Sequence, residues 1–265
     1  MALIGTLTSG VSALRTFSKG LEVIGSNIAN VNTTGYKSSS TSFKDTFSNT
    51  LRAAAGGSGD SAVQVGTGVQ IGGITTNFAQ GSLSSTGKGS DLGISGNGYF
   101  AVQNGTINYA TRDGSFHFDT TGNLVNGEGL NVLDTAGAPI AVANYDTVAS
   151  ISIGKDGTVN VFYADGTSDN SQAVGLLKIA DESKLMKQGS NLYDFGATGA
   201  VIGDLAAAGS NGLGNIQSGT LELSNVDLTD QFAELITTQR SFQAGSRLIT
   251  VSDSVLEDIV NLKRS

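Results

Sequence analysis

Leu3, Leu7, Val11, Leu14, Phe17, Leu21, Ile24 and Ile28 follow one another at steps of three or four residues, which sets them along one face of a helix. Ser9, Ser12, Ser18, Lys19, Glu22 and Ser26 fall largely off that face. The spacing therefore predicts an amphipathic helix of about 28 residues, roughly 40 Å long. Asn30-Val31-Asn32-Thr33-Thr34-Gly35 ends it, because Asn and Gly accept turn and left-handed conformations. The other end of the chain carries a similar line in Leu228, Phe232, Leu235, Phe242, Ile249, Leu256 and Ile259, close to heptad spacing, with Gln239, Ser246 and Asp253 interrupting it. Asn225, Asp227 or Thr229 offers an N-cap. Asp230 and Glu234 suit the positive end of the helix dipole, and Lys263 and Arg264 the negative end. A second helix of more than about 30 residues is predicted.

Between these ends the period changes to two. Tyr99–Gln103 and Thr106–Tyr109 flank Asn104-Gly105, and Ile151–Lys155 and Thr158–Tyr163 flank Asp156-Gly157. Both read as hairpins with two-residue turns. Ser115–Phe118 and Asn123–Val125 around Asp119–Gly122 read as a third. The expected architecture is α+β, with long N- and C-terminal helices paired as a coiled coil and a central all-β domain. The narrowness and length of the two stripes favour that pairing over helices that merely cover the middle domain. Residues 1–52 and 221–265 form the terminal helical assembly region. Residues 53–63 are a linker, 64–195 the β-rich domain, and 196–220 a second, Gly/Ala-rich linker.

Composition narrows the chemistry. The 265 residues include 37 Gly, one Pro, one His, no Cys and no Trp. Absent cysteine excludes disulfides and thiolate metal sites, and a single histidine excludes a two-histidine centre. His117 lies between Phe116 and Phe118, so strand alternation turns it outward while the rings face inward. Gly66-Thr67-Gly68-Val69-Gln70-Ile71-Gly72 has the wrong spacing for a dinucleotide loop, and the Asp-Gly turns lack the acidic density of a calcium loop. No catalytic residues, cofactor or metal are expected. The formal charge of -8 carries no basic stripe, which argues against nucleic acid. No apolar run reaches the length of a membrane span, and the first 30 residues make a poor cleavable signal. Residues 1–52 hold five basic and two acidic side chains, whereas residues 221–265 hold four and seven. The two ends should attract.

Ser9-Gly10-Val11-Ser12-Ala13-Leu14, followed by Ile24-Gly25-Ser26-Asn27-Ile28-Ala29-Asn30-Val31-Asn32-Thr33-Thr34-Gly35-Tyr36-Lys37, resembles the N-terminal signature of the flagellar hook and rod axial proteins. Gly219–Leu228 with Gln239-Arg240-Ser241-Phe242-Gln243-Ala244 resembles the C-terminal one, and Gly81–Leu92 with Gly96–Phe100 the first β segment. The resemblance implies a non-enzymatic subunit of the flagellar basal body and hook. Such a subunit is exported by the flagellar type III apparatus and polymerises helically with its own copies and with neighbouring axial proteins. It would transmit torque from motor to filament. The assembly interface would comprise Leu7, Val11, Leu14, Phe17, Leu21, Ile24 and Ile28 on the first helix. On the second it would comprise Asn225, Asp227, Leu228, Phe232, Leu235, Gln239, Arg240, Phe242, Ile249, Leu256 and Ile259. Asn27, Asn30, Asn32, Gly35, Tyr36 and Lys37 would form the family motif. Val65–Ile71 looks more like a hook protein, so a short hook-type protein is the main reading. A distal rod protein is the alternative, and a secreted β-rich adhesin or glycan-binding module, disfavoured by the absent Trp, is the distant one.

Overall fold

The computed structural model describes residues 2–52 and 63–264; most of the expected 53–63 linker lies outside the described residues. Contacts divide the chain into two units. The first comprises the described parts of Met1–Ala29, Ser39–Asn77 and Val226–Ser265, and the second comprises Asn30–Ser38 and Phe78–Asn225.

In the first unit, helix α1 spans Ala2–Ala29 and α2 spans Leu228–Arg264. Asp227 caps α2, its Oδ1 accepting Thr229 N–H at 2.8 Å and its carbonyl accepting Gln231 N–H at 3.0 Å. The helices pack antiparallel along their length. Thr6 meets Ser252, Leu14 lies against Gly245, Gly20 lies against Thr238, and Asn27 bonds Gln231. On α2 the inward line is a heptad alternation in which Gln231, Thr238, Gly245 and Ser252 interleave with Leu235, Phe242, Ile249 and Leu256. Glycine lets the backbones approach: a methyl group on Gly10 would stand 3.1 Å from Ile249 Cγ1.

A two-part antiparallel ribbon completes this unit. Ser39–Asp45 pairs with Val69–Thr76, and Ser48–Arg52 pairs with Val63–Gly66. It lies on α1, where Thr16 Oγ1 donates to Val69 O and Phe17 meets Phe43 edge-on at 5.7 Å. Residues 39–52, expected within the helical terminal region, are therefore strand. Their run of Ser and Thr disfavours helix and suits an exposed ribbon.

The second unit is built on a nine-stranded sheet. Its central strand, Tyr99–Asn104, pairs with Ile107–Thr111, Asn131–Val132 and Leu176–Leu177. Phe100 and Val102 enter one apolar cluster with Leu92, Ile94, Leu124, Val174 and Ile216; Tyr99 and Ala101 enter another with Leu133, Leu177 and Tyr193. Burial on both faces explains why Tyr99 to Val102 are apolar in succession where an alternation of period two was expected. A three-stranded sheet of Val148–Ile153, Thr158–Tyr163 and Ser168–Ala173 adds to the first cluster.

The three expected hairpins form, but their turns differ: Asn104 pairs with Ile107 across Gly105-Thr106, Gly154 N–H bonds Thr158 O across the three residues Lys155–Gly157, and Asp119 N–H bonds Asn123 O across Thr120–Gly122; His117 is exposed while Phe116 is buried. Residues 196–220 differ from the expected linker. They contain the strands Leu205–Ala206 and Asn215–Ser218, and they bury Leu205, Ala208, Leu213 and Ile216. Here Gly199, Gly209 and Gly212 turn with positive φ between anchored apolar positions, so glycine marks tight turns and not slack.

Candidate functional site

The first unit buries almost none of its large apolar side chains. Among the described residues, Ile24 is its one buried hydrophobic, while the clusters around Phe100 and Tyr99 hold the rest of the buried set apart from Val125 in the second unit. Leu7, Leu14, Phe17, Leu21 and Ile28 are half-buried, and Val11 is 40% exposed. The closest-packed line on α1 is Gly10, Thr16, Gly20, Ile24 and Asn27, rotated from the apolar seam toward small and polar residues. Leu235, Phe242, Ile249 and Leu256 take part in the helix pair, but Leu228, Phe232 and Ile259 lie outside it and are exposed. They continue into a stripe of Leu248, Val251, Val255 and Ile259 at helical spacing, all exposed. Gln239 and Arg240 are exposed as well. On the ribbon Phe47 is 92% exposed, and Val65 and Ile74 stand out similarly. Exposed apolar side chains on one thin layer are the mark of a surface made to be covered.

The family-motif residues divide. Asn27 is buried in the first unit, where its Nδ2 donates to Ser39 O at 2.7 Å and Gln231 Oε1 at 2.8 Å, and its Oδ1 accepts Ser39 N–H at 3.0 Å. This amide is committed within the subunit and fixes both the end of α1 and the start of the ribbon. Asn30 accepts Thr33 N–H in a turn, and Asn32 is exposed. Gly35 has φ 67, and a side chain there would come within 2.6 Å of Asp113 N. Tyr36 stacks beneath Lys187 Nζ at 5.0 Å from its ring centroid.

Lys37 is buried in the second unit, and sequence reasoning missed its partners. Its Nζ lies 2.7 Å from Glu222 Oε1 and donates to Ala79 O at 2.8 Å. Arg112 Nη1 reaches Glu222 Oε2 at 3.3 Å, and Gly81 N–H donates to Glu222 Oε1 at 2.8 Å. The three charged side chains are 0–3% exposed. Arg112 also lies 4.9 Å over the Tyr99 ring, whose hydroxyl donates to Glu182 Oε1 at 2.8 Å. Burial holds the Lys37 amine below its ordinary range, against the opposing pull of Glu222, and burial raises the Tyr99 and Tyr193 phenols. Around the pair, Gly35 N–H donates to Glu222 O at 2.8 Å and Ser38 N–H to Asn225 Oδ1 at 2.8 Å. The available signal was the opposite charge of the two ends, of which Lys37 and Glu222 are members; it does not say which residues meet.

The described residues form a self-bonded β unit and a helical layer with exposed apolar faces, the form of a structural assembly subunit. Comparison with known proteins agrees. Residues 7–37 match the flagella basal body rod protein family, residues 93–161 the flagellar hook protein FlgE/F/G D1 domain, and residues 217–262 the flagellar basal body rod FlgEFG protein C-terminal family. The chain is 41% identical to the flagellar basal-body rod protein FlgG of Bacillus subtilis, over 99% of this chain and 100% of that one. It is 32% identical to the FlgG of Borreliella burgdorferi, over 100% and 99%. The flagellar hook protein FlgE of the same organism is 26% identical over 98% and 100%, but the alignment needs 441 positions against 266 for the Bacillus rod protein. The chain belongs to the flagellar hook and basal-body rod family of axial proteins. It is thus a structural, non-enzymatic component of the flagellar basal body. The short hook-type reading gives way, because the rod relatives match at higher identity and without the added length of the hook relative.

Proposed function

We propose that the chain is the distal rod subunit of the flagellar basal body, polymerising helically into a tube that passes torque from motor to hook. The observation that carries this reading is the contrast between units: the β unit buries its apolar side chains, whereas α1, α2 and the ribbon leave most of theirs half-buried or exposed. Neighbouring copies, packing α1 and α2 as a coiled-coil inner layer, would cover Val11, Leu228, Phe232 and Ile259. The likeness in length and identity to FlgG rod proteins supports rod over hook. Export through the type III apparatus belongs to the same reading, and the absence of cysteine suits passage of an unfolded chain. Contacts with adjoining axial proteins would use the same helical layer. Electron microscopy of the concentrated protein tests assembly, and gene deletion tests place. Tubes in vitro, and structures that stop before the hook in the deletion strain, are expected. A monomer at all concentrations, or growth that continues through the hook, would sink the proposal.

A further inference from the structure

The segments that lead out of and back into the terminal helices are fastened to each other within the second unit. Gly35 N–H bonds Glu222 O at 2.8 Å, Asn225 N–H reaches Tyr36 O at 3.4 Å, Ser38 N–H bonds Asn225 Oδ1 at 2.8 Å, and Lys37 pairs with Glu222 out of contact with water. A third segment joins them. Ala79 O accepts from Lys37 Nζ and Asn225 Nδ2, Gly81 N–H donates to Glu222, and Leu223 N–H donates to Ser82 O. Contacts advance in the same direction along both end segments, since Gly35 meets Glu222 and Ser38 meets Asn225. Pulling the chain by its two ends therefore draws the segments past each other in shear. Several bonds then share the load at once, where an unzipping pair would expose them singly.

We propose that this fastening, centred on Lys37 and Glu222, is a mechanical clamp: tension entering through the terminal helices crosses from residues 35–38 to residues 222–225 and bypasses the β core. The inference goes beyond the assembly role and holds for a single chain that never polymerises. The ion pair suits a clamp because sliding takes both charges from a 2.7 Å contact into surroundings that cannot solvate them. Lys37 and Glu222 are 185 residues apart, so the clamp closes a loop whose release lengthens the chain by about 600 Å or more.

The test is force spectroscopy on the full chain, with handles on cysteines introduced at its two ends. After low-force extension of the helices, the wild type should give one dominant event releasing about 600 Å. Lys37→Gln should keep that step and lower its force, opening about 100-fold or more faster at constant load. Leu124→Ala cuts a fully buried residue inside the loop; it should lower the melting temperature by several degrees and leave the force of the dominant event unchanged. A wild-type β unit that unravels in shorter pieces before that event overturns the proposal. So does a Leu124→Ala chain that yields at the same reduced force as Lys37→Gln. If Lys37→Gln does not fold, the wild-type step and the Leu124→Ala force decide the question by themselves.

Discussion

Replacing Glu222 with Leu removes one carboxylate and strands two cations. Among the described residues, Lys37, 1% exposed, would keep the Ala79 carbonyl as hydrogen-bond partner and the weaker pull of Glu182, and Arg112, 3% exposed, would keep the Tyr99 face. Among the described residues the Nε of Arg112 already has no hydrogen-bond partner, so little slack remains to absorb the change. Breaking a buried pair in this way costs about 3–5 kcal/mol. For a unit of this size each kcal/mol moves the midpoint by about 2–4 °C, so calorimetry should show the β unit melting about 6–20 °C lower. The pH dependence has a definite sign. Burial already depresses the Lys37 amine, and losing Glu222 depresses it further, so the unfolded chain binds more protons than the folded one on the alkaline side. Stability of the variant should then rise with pH faster than that of the wild type, and the deficit should shrink. A triple change of Lys37→Met, Arg112→Met and Glu222→Leu should recover most of the loss, because apolar groups of similar volume need no partner. A single variant that melts within about 1 °C of wild type, or a triple variant no better than the single, would refute the reasoning.

Acid should loosen the β unit in a definite window. The carboxyls of Asp119, Asp156, Asp165 and Asp181 are held below their ordinary range chiefly by the hydroxyls of Thr121, Thr158, Thr167 and Ser183, and that of Asp169 by the Ser171 backbone N–H. Their contribution is present above the unfolded value of about 3.9 and is lost as pH falls through the folded ones. Melting temperatures should therefore drop below about pH 4, and Asn at these five positions should flatten the slope; an unchanged slope counts against the turn account. Asn27→Leu deletes three hydrogen bonds, a loss of about 3 kcal/mol at about 1 kcal/mol each. It should speed amide exchange at Ser39 and raise the concentration needed for polymer, and wild-type values for both would contradict the assigned role.

Both long helices, the three hairpins and the exposed His117 were legible because local rules decide them: a period of three to four or of two, and turn residues at fixed offsets. The ribbon at Ser39–Asp45 was not legible, since its strands expose most side chains and carry no alternating apolar signal. Residues 196–220 misled because glycine content does not distinguish a slack segment from one anchored by Leu205, Leu213 and Ile216. Of the site, the apolar positions of both ends could be read, but their orientation could not. Gly10, Gly20 and Gly245 draw the helices together on a face where the apolar count is low, and Leu228, Phe232 and Ile259 are left outside. The junction at Lys37 and Glu222 depends on contacts across 185 residues, beyond the reach of any local pattern. The choice between hook and rod turned on length and identity along the whole chain, which the short motif at Val65–Ile71 does not contain.

The central claim is that copies of this chain cover the exposed apolar faces of α1, α2 and the ribbon. A chain without cysteine allows a direct measurement. Single cysteines at Phe47, Val251 and Ile259, with Ile107 of the β unit as reference, are all exposed positions in the subunit; their thiol-labelling rates are compared before and after polymerisation. About tenfold or greater protection is expected at Val251 and Ile259 in the polymer, as burial at an interface core excludes water, with a smaller effect at Phe47 and little change at Ile107. Polymers in which Val251 and Ile259 label as fast as in the free subunit would contradict the claim.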